Sequence, residues 1–347
     1  MGQMGFYDVD KRLEAISAKG DPLEVINATV PFESFRSEIE GVVRLAPEAR
    51  KSNAGRKPYD AVLMFKVLVL QTLYNLADGQ LEYLIRDRLS FMRFLDLGLE
   101  DRVPDATTVW LFREALARAG VVEKLFARFG QHLEAKGYIA RGGQIVDASI
   151  VGAPKQRNSR EENEAIKAGR TPAGWEQQPA KNAQKDKDAR WTKKHGQSFY
   201  GYKNHIGVDA KHKLIRRYAE TDASVHDSQK LDAVLDRSNT GKDVWADSAY
   251  RSAEIEAKLK AQGYKSRIHA RAARNRPLTQ RAQSANTTRS SVRARVEHVF
   301  GHQENSMAGK IVRTIGMARA RVKIGMMNLV YNMRRLVQLE RVAAAPA

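Results

Sequence analysis

The chain has 347 residues, no cysteine, 42% hydrophobic residues and 59 Lys and Arg against 40 Asp and Glu, a net charge of +19. That length and hydrophobic content support packed cores and exclude a globally disordered chain. The lack of cysteine excludes disulfides and thiolate metal sites. Residues 1–10 show no apolar leader, and residues 61–73 are broken by Lys66 and Gln71 and too short to cross a bilayer, so a soluble cytoplasmic protein is expected.

The charge is segregated. Residues 271–347 hold 15 Lys and Arg against 3 acids, and residues 155–217 hold 16 against 7. Two basic blocks on a near-neutral body are the footprint of a polyanion binder. Nucleic acid fits better than a membrane surface, because neither block carries a wide apolar face.

Along the chain, residues 31–43 read as one amphipathic helix in a lead-in. Residues 61–70 are apolar enough for a buried helix, and shorter helical segments follow at residues 81–88 and 90–97. Pro104-Asp105-Ala106-Thr107-Thr108 is a helix start with Asp105 as its cap; that helix stops at Gly120, and another runs from Val121 to Gly137. With Thr107, Thr108 and Arg113 on the capped helix, a helix-turn-helix DNA reader and an ordinary helical bundle both fit.

The pattern changes after Gly142. Residues 144–151 read as a strand, and residues 155–197 as a polar insertion, flexible or ordered only on a partner. Then come a hairpin around Ala210-Lys211-His212-Lys213, a helix at residues 228–235, a strand at 244–247, a helix at 253–260, a strand at 265–269 and a helical remainder from about Thr288. This order predicts an α/β class: a mixed sheet with helices on its faces, behind an all-α N-terminal part.

Two acids stand apart. Asp147 in Ile145-Val146-Asp147 and Asp247 in Trp245-Ala246-Asp247 end or interrupt buried strands, where a carboxylate is expensive unless something binds it. Glu297 lies in the basic, helix-patterned Arg293-Ala294-Arg295-Val296-Glu297. Oxygen donors from separate elements suit Mg²⁺, and two such ions suit phosphodiester chemistry. Asp209, Asp222, Asp227, Asp243 and Glu304 read as turn, cap or surface acids. The histidines lack the helical spacing of a zinc site. No GxxxxGK[ST], GxGxxG or GxSxG run occurs, which excludes the common triphosphate, dinucleotide and hydrolase motifs.

These residues resemble the DDE-type transposases of bacterial insertion sequences, in the group with an InsH-like N-terminal domain. The resemblance spans about Phe32 to Leu336. It rests on residues 55–66 and 103–108, on Ile145-Val146-Asp147-Ala148-Ser149, on Gly201-Tyr202-Lys203-Asn204-His205, on Ala246-Asp247-Ser248-Ala249-Tyr250 and on residues 293–297. It implies a helical DNA-binding domain over residues 1–137 and a ribonuclease-H-like catalytic domain over 138–347. It further implies Asp147, Asp247 and Glu297 as catalytic ligands of two Mg²⁺ (or Mn²⁺) ions, and cleavage at terminal inverted repeats followed by strand transfer. DNA contacts are expected at Arg56, Lys57, Thr107, Thr108, Arg113, Lys203, His205 and Arg293. Relatives place a lysine seven residues after the glutamate; here that position is Glu304, and Lys310 is the nearest substitute. The implied partners are double-stranded DNA and a second copy of the chain in a synaptic dimer, in the nucleoid. A catalytically idle DNA-binding descendant is the alternative.

Overall fold

The computed structural model describes residues 7–43, 57–194, 196–272 and 277–345. They form two compact units. The first comprises residues 1–136 together with the chain from Gly325 onward, and the second comprises Gly137–Ile324.

The first unit is helical: α1 (Asp8–Ala18), α2 (Pro22–Thr29), α3 (Arg36–Val43), α4 (Ala61–Tyr74), α5 (Asp78–Asp87), α6 (Leu89–Phe94), α7 (Ala106–Ala119) and α8 (Val122–Ala135). Helix α4 is apolar on every side and is buried at Val62, Met64, Phe65, Val67, Leu68, Val69 and Leu70. Asp60 opens it by accepting from the N–H groups of Val62 and Leu63, and Asn75 closes it in the left-handed region at φ 49°. Phe32 and Phe35 pack edge-on or tilted against Phe65, 6.2 and 4.9 Å between ring centres. Asp105 caps α7 as expected, with Thr108 N–H 2.7 Å away. The single lead-in helix expected at residues 31–43 is a 3₁₀ turn, Phe32–Phe35, running into α3, and α1 and α2 precede it.

The second unit is built on a sheet. Its strands are β1 (Gln144–Gly152), β2 (Arg190–Lys194), β3 (Gln197–Asp209), β4 (Ile215–Asp222), β5 (Asp243–Trp245) and β6 (Lys265–Ser266). From one edge the order is β4-β3-β1-β5-β6, antiparallel through β1 and parallel beyond it; β2 pairs with the first part of β3. This is the mixed, ribonuclease-H-like sheet anticipated above. Helices α11 (Leu231–Val234) and α12 (Ala253–Ala261) contribute Leu231, Val234 and Leu259 to a core with Val146, Val244, Ala246 and Tyr250. Two further helices follow in the chain, α13 (Gln280–Gly301) and α14 (Met317–Ala344), the latter counted with the first unit from Gly325 onward. Helix α13 packs against β1 and β5. Gly207 on β3 faces the backbone of Val234 so closely that a Cβ there would overlap the Val234 carbonyl oxygen. Glycine is the residue that lets α11 sit on the strand.

The insertion differs from its expectation. It holds α9 (Arg160–Lys167), α10 (Pro179–Ala183) and strand β2. Trp175 is 1% exposed; its Nε1–H donates to Glu162 Oε1 at 2.7 Å, and the Lys181 and Lys185 ammonium groups lie over its ring. Asp186 then ties the segment to the sheet by accepting from the Tyr202 hydroxyl at 2.7 Å. One buried tryptophan and one buried acid organise a stretch with few aliphatics, which hydrophobic periodicity could not reveal.

Candidate active site

Strand β1 is buried on both sides at its centre and carries Asp147, paired across to Ile206 of β3. On its other side β5 runs parallel, with Ile145 beside Trp245. Two residues further along each chain stand Asp147 and Asp247, so adjacent strands deliver the two aspartates. Asp247 has already left its strand: its Oδ1 accepts the Ala249 N–H at 2.8 Å and caps the 3₁₀ turn Ser248–Tyr250. Glu297 comes from α13, on an exposed position one turn after Arg293.

Arg293 joins the set. Its Nη2 lies 3.3 Å from Asp147 Oδ2 and 3.5 Å from Glu297 Oε1. Asp147 is 9% exposed, and its Oδ1 accepts the N–H of Ala148 at 2.8 Å. Burial pushes the Asp147 carboxyl up to about 6 against the pull of Arg293 and this hydrogen bond, and the negative charge of Asp247 adds to the rise. Lys194, on β2, pulls the other way, so the basic hairpin lies within electrostatic range of Asp147. Tyr250 is 1% exposed, and its hydroxyl has no hydrogen-bond partner. Burial, then the charges of Asp147, Asp227 and Asp247, hold that phenol well above its ordinary pKa.

A buried carboxylate this poorly compensated is what a hard cation would satisfy, and the three acids offer only oxygen donors. In donor chemistry they fit a divalent ion such as Mg²⁺. Among the described residues, however, no group of three or more His, Asp or Glu side chains is close enough to hold a metal ion. Glu297, with a side chain 63% exposed, is engaged by Arg293.

The other expected site residues divide. Lys57 and Thr107 are exposed and Thr108 is half-buried; Arg56 lies outside the described residues. Arg113 turns inward: its guanidinium donates to both Asp78 carboxylate oxygens at 2.6 and 2.8 Å and to Gln71 Oε1 at 3.0 Å. Lys203 donates to the Val225 carbonyl at 2.7 Å and pairs with Asp227 at 2.8 Å. His205 has no exposed surface; its Nε2 is 2.9 Å from the Thr221 hydroxyl, and burial lowers its pKa to about 4. It is a neutral interior imidazole on β3, not a surface group. Lys310 is exposed and ion-paired to Glu304, while its carbonyl accepts the N–H of Gly152 at the end of β1. Asp209, read as a turn residue, is fully buried; it binds the N–H groups of His212 and Leu214 and the Arg216 guanidinium.

Sequence reasoning missed the reach of Arg293 to Asp147, the unsatisfied Tyr250 hydroxyl and the approach of Lys194. The i,i+4 spacing signalled only the link from Arg293 to Glu297. The basic pair Lys193-Lys194 was visible, but its nearness to Asp147 depends on how the β2–β3 hairpin is placed.

No single helix among the described residues is long and apolar enough to cross a membrane. Residues 140–333 match the family described as a transposase DDE domain, and residues 11–115 match a family described as a transposase domain (DUF772). Among solved structures, a cryo-EM structure of the piggyBac transposase synaptic complex with hairpin DNA is similar at a TM-score of 0.45 and 13% identity, over 93% of this chain and 76% of that one. With more than half its length matched by the first of these families, the chain belongs to the DDE transposases, enzymes that cut DNA and transfer the cut strands.

Proposed function

We propose that this transposase binds the terminal inverted repeats of its own element and cuts and transfers DNA at Asp147, Asp247 and Glu297. The observation that carries the reading is the Arg293 bridge between Asp147, buried and undercompensated, and the helical Glu297, with Asp247 delivered by the strand beside that of Asp147. The three carboxylates would hold the divalent ions, Mg²⁺ or Mn²⁺ and two of them; bound there, such ions activate an oxygen nucleophile and relieve charge on the leaving oxygen.

The chain's own residues do the rest. Ile145, Val146 and Val208 seal the strand interior and fix the direction of Asp147. Arg293 offers a planar guanidinium for a DNA phosphate beside the acids. Lys57 and Lys310 are assigned to DNA contact on exposure and charge, and Thr107 and Thr108 on their hydroxyls at the start of α7. Lys203, Arg113 and His205 act indirectly by holding Asp227, Asp78 and Thr221. The N-terminal helical part, residues 1–137, is assigned to end recognition and the sheet unit that follows, to Ile324, to catalysis, with a homodimer bringing two ends together in the nucleoid.

An oligonucleotide carrying the element's end, incubated with the protein and Mg²⁺, tests this. Asp147→Ala, Asp247→Ala and Glu297→Ala should each abolish nicking and joining and leave binding in EDTA largely intact. Nicking at the wild-type rate by any of them removes that residue from the site. DNA binding with no nicking by the wild-type chain would favour the idle DNA-binding alternative.

A further inference from the structure

Arg293 occupies an unusual position for a residue expected to serve DNA. A single nitrogen, Nη2, is shared between Asp147 on β1 and Glu297 on α13. Its neighbours on the same helix are engaged elsewhere: Arg289 donates to the Ile268 carbonyl at 2.8 Å and Arg295 to the Ala210 carbonyl at 2.6 Å. Arg293 is thus the α13 arginine directed at the acids.

We propose that Arg293 is a built-in counter-cation that competes with divalent metal for Asp147 and Glu297, so that metal loads fully only when a DNA phosphate draws the guanidinium away. The inference rests on the site reading above and adds an order of events to it. Three features support it. Both carboxylates that Arg293 bridges are ones a metal would need, so guanidinium and metal exclude one another there. The Arg293 Nε is buried and has no hydrogen-bond partner, so the guanidinium is poorly satisfied where it stands. A phosphate accepting from Nε and Nη together would complete it, which gives DNA a specific pull on this side chain. Finally, the Arg293 side chain is 22% exposed, enough to meet a ligand from solvent without unfolding α13.

A lysine carries the same charge on one ammonium, which can also stand between two carboxylates but cannot offer a phosphate the paired Nε and Nη donors of the planar fork. That difference separates the pull of a DNA phosphate on the fork from plain charge competition. The experiment measures Mn²⁺ binding to the full chain by the loss of the free-ion paramagnetic resonance signal. It is done with and without a short duplex oligonucleotide, corrected for binding to the duplex alone.

The wild-type chain should bind Mn²⁺ weakly alone and about tenfold more tightly with the duplex. Arg293→Ala should bind about tenfold more tightly without DNA and lose the response to it, and Arg293→Lys should stay weak without DNA and lose most of the response. The proposal fails if Arg293→Ala binds no more tightly than wild type, or if Arg293→Lys behaves as wild type, which leaves only a charge effect. Asp147→Asn separates the two levels of the reading. If it leaves Mn²⁺ binding unchanged, the site assignment falls and the proposal with it. If it abolishes binding while Arg293→Ala gains nothing, the competition alone is wrong.

Discussion

Replacing Asp147 with asparagine should make the metal-free protein more stable while removing its activity. The Asp147 carboxyl is raised from 3.8 to about 6, chiefly by burial, and that value already contains the attraction of Arg293. A carboxyl whose folded pKa exceeds its unfolded one binds its proton more tightly in the folded state. The contribution of this carboxyl is therefore most favourable below about pH 4, declines as the pH rises through about 4 to 6, and stays reduced above. Roughly two pKa units at about 1.4 kcal/mol each set the penalty at neutral pH at about 3 kcal/mol. Asparagine keeps the shape and the hydrogen bond to Ala148 without the charge, so a gain of about 1–3 kcal/mol is expected, or roughly 2–9 °C in the melting temperature. Thermal unfolding in EDTA at pH 7.5 and again at pH 4 measures it. The gain should vanish at pH 4, and Mg²⁺ should raise the melting temperature of the wild type only. A melting temperature for Asp147→Asn at or below wild type at pH 7.5 in EDTA would refute the idea that Asp147 is an undercompensated buried charge.

Other substitutions probe the frame around the site. Gly207→Ala drives a methyl group into the Val234 carbonyl and should cost about 3 kcal/mol or more, read as lost soluble yield or a lowered melting temperature; a wild-type melt would contradict the close approach. His205 has a folded pKa lowered to about 4, so its contribution is complete above about pH 6.5 and is lost as pH falls toward 4, by up to about 3 kcal/mol. His205→Gln should flatten that acid limb in pH-dependent denaturant titrations, and an unchanged limb would place the acid sensitivity elsewhere. Trp175→Ala removes the centre of the insertion, a loss of about 3–5 kcal/mol confined to that segment. Limited trypsin digestion should then cut within residues 155–197 before the sheet is touched, and an unaltered digestion pattern would show that Trp175 is not the organiser.

The elements most legible in the sequence were those with strong periodicity or a cap. Helix α7 begins at its Asp105 cap and ends before Gly120, as read from residue types alone. Strand β1 and the hairpin of β3 and β4 follow their apolar runs closely. What escaped was set by tertiary contact. Asp209 resembles a turn aspartate in sequence, yet it is buried because Arg216, seven residues on, returns beside it across the hairpin. His205 and Lys203 sit in a motif that suggests a ligand surface, but β3 is an interior strand with neighbours on both sides, which withdraws His205 from solvent. The two aspartates were legible because a carboxylate after an apolar run is anomalous by itself. Glu297 was legible only through its family motif, since an exposed glutamate on a basic helix is locally unremarkable.

The two ends of the insertion meet. Ala153 donates its N–H to the Tyr200 carbonyl at 2.8 Å, and Gly152 lies opposite Gly201 in the sheet. Residues 154–199 therefore leave and rejoin the molecule at one point, like a cassette clipped to a rail. Such a piece can lengthen, shrink or be exchanged without shifting the pairing of β1 with β3 or β5. Sequence variation has a place to accumulate there, while the two aspartates stay fixed to the sheet.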